Sequence, residues 1–129
     1  MKILFVCVEN SCRSQMAEAF CDHFSKGSIE AYSAGSKPSG KVNETAIELM
    51  KDAGLDISRA ESKGFYELPI KEFDYVVSMG CKDTCPFVPA EKHIEWDIED
   101  PKDKSMEVFM NVRDDIKESV RALIEDMII

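Results

Sequence analysis

No apolar stretch of this 129-residue chain is long enough to span a bilayer. The N-terminus runs straight into Lys2-Ile3-Leu4-Phe5-Val6-Cys7, without the basic lead and extended apolar segment of an export signal. A cytoplasmic protein with no membrane partner is expected. An excess of positive charge is also missing. Sixteen basic residues stand against twenty-five acidic ones, a net charge of −9, which argues against nucleic acid or an anionic membrane surface as partner. Any anion must be bound locally. There is no internal repeat or low-complexity linker, and the length leaves no room for a second globular unit, so residues 1–129 read as one domain. Nor is there an even set of cysteines. Cys7, Cys12, Cys21, Cys81 and Cys85 make five in a chain without an export signal, which disfavours a static disulfide framework and points to thiol chemistry or metal. Zinc is disfavoured in turn, because neither cysteine pair has the two-residue spacing of a zinc knuckle. His23 falls in a helical pattern and His93 stands alone.

What is present is an alternation of strands and helices. Lys2 to Cys7 is a continuous apolar run, the mark of a strand covered on both faces. A helix is predicted from Arg13 to Lys26, with Ala17, Phe20, Cys21 and Phe24 on one side and Gly27 at its end. Ile29 to Ala34 reads as a second strand. Asn43 then caps a helix that carries Ala46, Ile47, Met50 and Ala53 inward and stops at Gly54. From Leu55 to Phe73 the pattern is weak and reads as helical turns and loop. Tyr75 to Met79 is a third strand and Ile94 to Trp96 a fourth. Ser105 to Met127 is a long helix burying Val108, Phe109, Val112, Ile116, Val120, Leu123, Ile124 and Met127. This order implies parallel pairing through right-handed crossovers, hence an α/β, three-layer, doubly wound domain. Ligands of such sheets bind beyond the C-terminal strand ends. Cys7, the segment Cys81 to Cys85, and Asp97 with Asp100-Pro101 all follow strands there.

Cys7 and Arg13 enclose Val8, Glu9, Asn10, Ser11 and Cys12, a loop short enough to wrap one tetrahedral anion with its backbone N–H groups. The helix that follows adds its positive end, which binds anions and favours a thiolate over a thiol. Arg13 supplies a planar fork of donors that matches two oxygens of a phosphate-like group. The pattern therefore puts a nucleophile where an oxyanion would sit.

With Ser14 and a helix after the loop and a late Asp-Pro, the chain resembles the low-molecular-weight phosphotyrosine phosphatase family and, within it, the thioredoxin-coupled arsenate reductases. The residues that carry the resemblance are Cys7 to Glu18, Tyr32-Ser33-Ala34-Gly35, Cys81 to Cys85-Pro86, and Trp96 to Pro101. It implies a flavodoxin-like, four-stranded parallel sheet in the order 2-1-3-4 and no cofactor. It further implies that Cys7 attacks the central atom of the oxyanion, that Arg13 and the loop from Val8 to Cys12 hold its oxygens, and that Asp100 protonates the departing oxygen. Ser14 would donate to the Cys7 sulfur and Asn10 would brace the loop. The branches of the family part over Cys81 and Cys85. By resemblance, Cys81 attacks the Cys7–arsenic adduct, expels arsenite and leaves a Cys7–Cys81 disulfide. Cys85 then converts this to a Cys81–Cys85 disulfide, which thioredoxin or a similar dithiol reduces. Residues four apart in a helical turn have Cα atoms about 6 Å apart, within the disulfide range of about 4.4 to 6.8 Å.

A phosphatase that completes its cycle with water is the alternative. Against it stand the paired cysteines and Lys102, found where the phosphatases usually carry an aromatic residue. A catalytically silent phosphate-binding module would not need Cys7, Arg13 and Asp100 together. Cys21 reads as a buried structural thiol, Cys12 as a thiol packed in the loop, and Trp96 as core. Three departures from the family pattern are notable. Glu9 stands where many members have glycine, so either its side chain points outward or the loop tolerates it. Cys81 and Cys85 are closer together than in the thioredoxin-linked members. Some members bind potassium through residues matching Asn10, Glu18 and Ser33, but a nearby carboxylate of those members is Lys63 here. The Lys63 ammonium is therefore expected to replace the cation, or none is needed.

Overall fold

The computed structural model describes residues 1–80 and 88–128. Its elements are β1 (Lys2–Cys7), α1 (Arg13–Ser25), β2 (Glu30–Gly35), α2 (Glu44–Asp52), a 3-10 turn (Phe65–Glu67), β3 (Phe73–Met79), β4 (Ala90–Trp96) and α3 (Met106–Ile128). All strand pairings are parallel, in the order β2-β1-β3-β4, as expected for a low-molecular-weight phosphatase-like sheet.

The apolar run of β1 is explained by its central place. Successive side chains of a strand point to opposite faces. Ile3, Phe5 and Cys7 join the larger core with Met16 and Phe20 of α1, Leu49 and Met50 of α2, and Val112, Ile116 and Val120 of α3. Leu4 and Val6 join a smaller core with Ala34, Leu68, Phe73 and Val76, against which Phe65 and Ile70 also pack. The strand is thus covered on both sides, and its end is fixed next to β2, with Cys7 opposite Gly35.

β2, β3 and α3 are shifted by one or two residues from the sequence reading, to Glu30–Gly35, Phe73–Met79 and Met106–Ile128, and three other boundaries differ for a clear physical reason. β4 begins at Ala90 rather than near Ile94, pairing Phe73 with Ala90 and Met79 with Trp96. It is the outer strand of the described sheet, and Glu91, Lys92, His93 and Glu95 are exposed, so its first half lacks an apolar signature. In α2 the inward residues are Ala46, Leu49 and Met50, whereas Ala53 lies past the helix end and is exposed. α1 stops at Ser25, because Lys26 and Gly27 both take positive φ and Gly27 N–H donates back to Asp22 O at 3.1 Å. Trp96 is half-buried, its ring 6.1 Å from that of Phe5.

Asn43 is the N-cap of α2, its Oδ1 accepting from the amides of Thr45 and Ala46 at 2.8 and 3.2 Å. Its own amide donates to Ser11 O at 3.0 Å, which joins the helix start to the first loop. Asn43→Ala removes the side-chain cap and leaves the amide in place. A loss of about 1 kcal/mol in urea unfolding is expected. Phe20→Ala, in the middle of the larger core, should cost about 3–5 kcal/mol.

Candidate oxyanion site

The loop between β1 and α1 is held from outside through its carbonyl groups. Val8 O accepts from Lys37 N at 2.8 Å, Glu9 O from Ser39 N at 3.1 Å and Ser62 Oγ at 2.9 Å, and Ser11 O from Asn43 N at 3.0 Å. Cys12 O accepts from Met16 N as the first bond of the helix. In a trans peptide the carbonyl and the following N–H point opposite ways. With the carbonyls committed outward, the N–H groups that follow them turn toward the space lined by Cys7, Ser11, Cys12 and Arg13. At the start of α1, Cys12 offers no side-chain cap and the first turn holds no acid. The positive end of the helix is left open to an anion.

Two features of the backbone make the loop possible. Gly35 lies so close beneath it that a Cβ would sit 2.6 Å from Val8 O and 2.8 Å from Asn10 N. Asn10 adopts the left-handed conformation with φ 50°, which Asn tolerates better than most residues. Its side chain then braces the loop. Asn10 Nδ2 donates to Ser14 Oγ at 2.8 Å, and its Oδ1 accepts from Gln15 Nε2 at 2.9 Å and Lys63 N at 2.8 Å.

This brace orients the hydroxyl beside Cys7. With Asn10 donating to it, the Ser14 hydroxyl has its own hydrogen free for Cys7 Sγ, 2.8 Å away. Arg13 is buried, and its Nη1 donates to Ile98 O at 3.0 Å. Its Nη2 lies 3.8 Å from Asp100 Oδ2, so the loop after β4 delivers both a carbonyl that aims the guanidinium and a carboxylate at the rim. The Asp100 side chain is 51% exposed, and Oδ1 accepts from Lys102 N at 3.1 Å. Above the trap, Lys102 Nζ pairs with both carboxylate oxygens of Glu9, at 2.9 and 3.0 Å. That hydrogen bond and charge raise the Lys102 ammonium above its ordinary range.

Two neighbouring thiols are inert for the same physical reason. Burial pushes Cys12 up to about 12, helped by the charges of Asp100 and Cys7 and opposed by a Ser11 hydrogen bond and by Arg13. Burial likewise pushes Cys21 up to about 12, with Asp22 and Glu18 adding to it. Both remain protonated at neutral pH. Cys81 and Cys85 lie outside the described residues.

The oxygens matching the potassium ligands are already engaged. Asn10 Oδ1 accepts two N–H groups, and Ser33 Oγ donates to Glu18 Oε1 at 2.6 Å. Burial raises the Glu18 carboxyl above its usual range, while the Ser33 hydrogen bond and the charge of Lys63 oppose it. The Lys63 ammonium itself donates to Glu61 O at 2.9 Å and acts on Glu18 through its charge. Among the described residues no group of three or more His, Cys, Asp or Glu is placed to hold a metal.

Sequence reasoning missed Gln15, the Ile98 carbonyl and Gly80. The first carries no motif of its own, the second acts through its backbone, and Gly80 matters for what it lacks. A Cβ on Gly80 would lie 2.3 Å from Arg13 Nη1, at a φ of +81°. Gly80→Ala is therefore expected to push the guanidinium off Ile98 O and weaken oxyanion binding about tenfold or more, the scale of a charged hydrogen bond, read by phosphate titration.

The chain matches the family described as low molecular weight phosphotyrosine protein phosphatase over residues 2–128. It is 41% identical over 126 residues, 95% of each chain, to a Synechocystis protein named glutaredoxin arsenate reductase. A solved structure described as an arsenate reductase in the phosphate binding state has a TM-score of 0.86 at 40% identity, covering 97% of both chains. A thioredoxin-dependent arsenate reductase of Corynebacterium glutamicum gives 0.79 at 32% identity, over 97% of this chain and 60% of that one.

Proposed function

The chain belongs to the low-molecular-weight phosphotyrosine protein phosphatase family, and from that premise we propose that it is an arsenate reductase driven by a thiol cascade. The observation that carries the oxyanion chemistry of this reading is Cys7 Sγ at the base of the loop, 2.8 Å from the Ser14 hydroxyl, with buried Arg13 beside it and Asp100 at the rim. Gly80 lies against Arg13, and the next residue in sequence is Cys81. Relatives named arsenate reductase support the substrate; a thioredoxin-dependent neighbour and a relative named for glutaredoxin support an external thiol reductant, thioredoxin or a similar dithiol.

The chemistry divides into three exchanges. The Cys7 thiolate attacks As(V), with Arg13 and the loop amides taking the charge on the oxygens, and Asp100 protonates the oxygen that leaves as water. Cys81 then attacks the Cys7 sulfur. The S–As bond breaks toward arsenic, which keeps the electron pair and departs as arsenite, while Cys7 and Cys81 become a disulfide. Cys85 attacks the Cys81 sulfur, frees Cys7, and leaves a Cys81–Cys85 disulfide for the thioredoxin dithiol. Two electrons pass from protein thiols to arsenic and are restored from outside. Aryl phosphate hydrolysis is the second reading, favoured by the same loop and the exposed Asp100. It shares the first attack and ends with water instead of Cys81.

Comparison of Cys7→Ser, Cys81→Ser and Cys85→Ser separates the two. The first should abolish both arsenite release and aryl phosphate hydrolysis. The other two should lose arsenate turnover with thioredoxin and keep the hydrolysis. Normal arsenate reduction by Cys81→Ser would overturn the cascade. We further propose that the Lys63 ammonium stands in for a cation beside Glu18. Exchange of sodium for potassium chloride at constant ionic strength should leave the melting temperature unchanged, and stabilisation specific to potassium would refute it.

A further inference from the structure

We infer that the Glu9–Lys102 ion pair is a selectivity gate, spanning the mouth of the oxyanion site so that a bare tetrahedral oxyanion is admitted and its aryl esters are turned away. The inference rests on the reading of the Cys7–Arg13 loop as an oxyanion site and adds how substrates are chosen there.

The two residues stand on opposite walls of the mouth. Glu9 belongs to the loop after β1 and Lys102 to the loop after β4, 93 residues later, next to the carboxylate of Asp100 whose Oδ1 its amide caps. Both carboxylate oxygens of Glu9 are engaged, at 2.9 and 3.0 Å. The void lined by Cys7, Glu9, Ser11, Cys12, Arg13, Asp100 and Lys102 is only about 10 Å³. That is about the room one water needs, so side chains that line the void, the exposed pair among them, must move outward to admit a tetrahedral oxyanion.

What happens next depends on the substituent. Of the residues lining the void, Cys7, Ser11, Cys12 and Arg13 are buried, while Glu9 is half-buried and Asp100 and Lys102 are exposed, so a group carried by the anion away from Cys7 meets the Glu9–Lys102 side. A free oxyanion leaves the mouth clear. The pair, displaced outward, can re-form across the outer face of the anion, with Lys102 still neutralising Glu9. An aryl ester keeps its ring in the gap. Glu9 then faces a bound dianion without its lysine, and a like charge left unpaired is a strong device against the wrong ligand. The pair is half exposed and contributes little to stability, which does not limit its effect on choice. It also accounts for an acid so near an anion site, since Glu9 without Lys102 would weaken binding of every substrate.

The test uses the full chain and reads occupancy of the site over a time in which phosphate release from phenyl phosphate is negligible. Cys7 is alkylated with iodoacetamide and located by mass spectrometry, with inorganic phosphate or phenyl phosphate as protectant, in the parent, Glu9→Gln, Lys102→Gln and the swapped Glu9→Lys/Lys102→Glu chain. The parent should favour phosphate. Each single variant should move the preference toward phenyl phosphate by about tenfold, and the swapped pair should move it back. A preference within about twofold of the parent in both single variants overturns the gate, as does a swap that behaves like them. If neither anion protects Cys7 in the parent, the oxyanion reading falls and the gate with it. Protection with an unmoved preference overturns the gate alone.

Discussion

The outward commitment of the first loop's carbonyl groups is the constraint on which the site depends. Peptide groups cannot bond on one side without presenting N–H on the other. Once Lys37, Ser39, Asn43 and Ser62 hold the carbonyls of Val8, Glu9 and Ser11, the inner surface is set. No single side chain makes the cradle. It results from the 37–43 segment and Ser62 lying against the loop, which requires β2 beside β1 and the absence of a side chain at Gly35. Sheet order and anion chemistry are in this sense one fact.

The same economy runs through the polar groups beneath. Asn10 is placed by its left-handed backbone, and it orients Ser14, Gln15 and the chain at Lys63. Ser14 in turn has only one hydrogen to give, and the sulfur of Cys7 receives it. Asn10, Ser14, Gln15 and Cys7 are buried, so each must be satisfied, and satisfaction leaves one arrangement. Arg13 is fixed in the same manner by the carbonyl of Ile98 and by the shape of Gly80.

Local and contiguous features were legible in the sequence. The apolar run of β1, the Cys7-to-Arg13 loop and the Asn43 cap each declare themselves within a few residues, and the strand order follows from the family resemblance. β4 was underestimated because an outer strand need not be apolar. Ala53 was read as inward because helical periodicity was extended past the true helix end. Gly80, Ile98 and the Glu9–Lys102 pair could not be read, because each acts across loops joined only by the fold, and two of them work through backbone or missing atoms. Lys102 was visible as a departure, but its partner was not.

The uncapped start of α1 has a thermodynamic consequence. With no capping side chain and no acid in its first turn, the helix is completed by what binds there. An oxyanion that fits is therefore a ligand of the native state alone, and mass action makes the folded population grow with its concentration. On the proposed oxyanion reading, phosphate, which shares the shape and charge of arsenate, would be at once a stabiliser of this chain and an occupant that substrate has to displace. Conditions that best preserve the protein are then the ones in which it works most slowly.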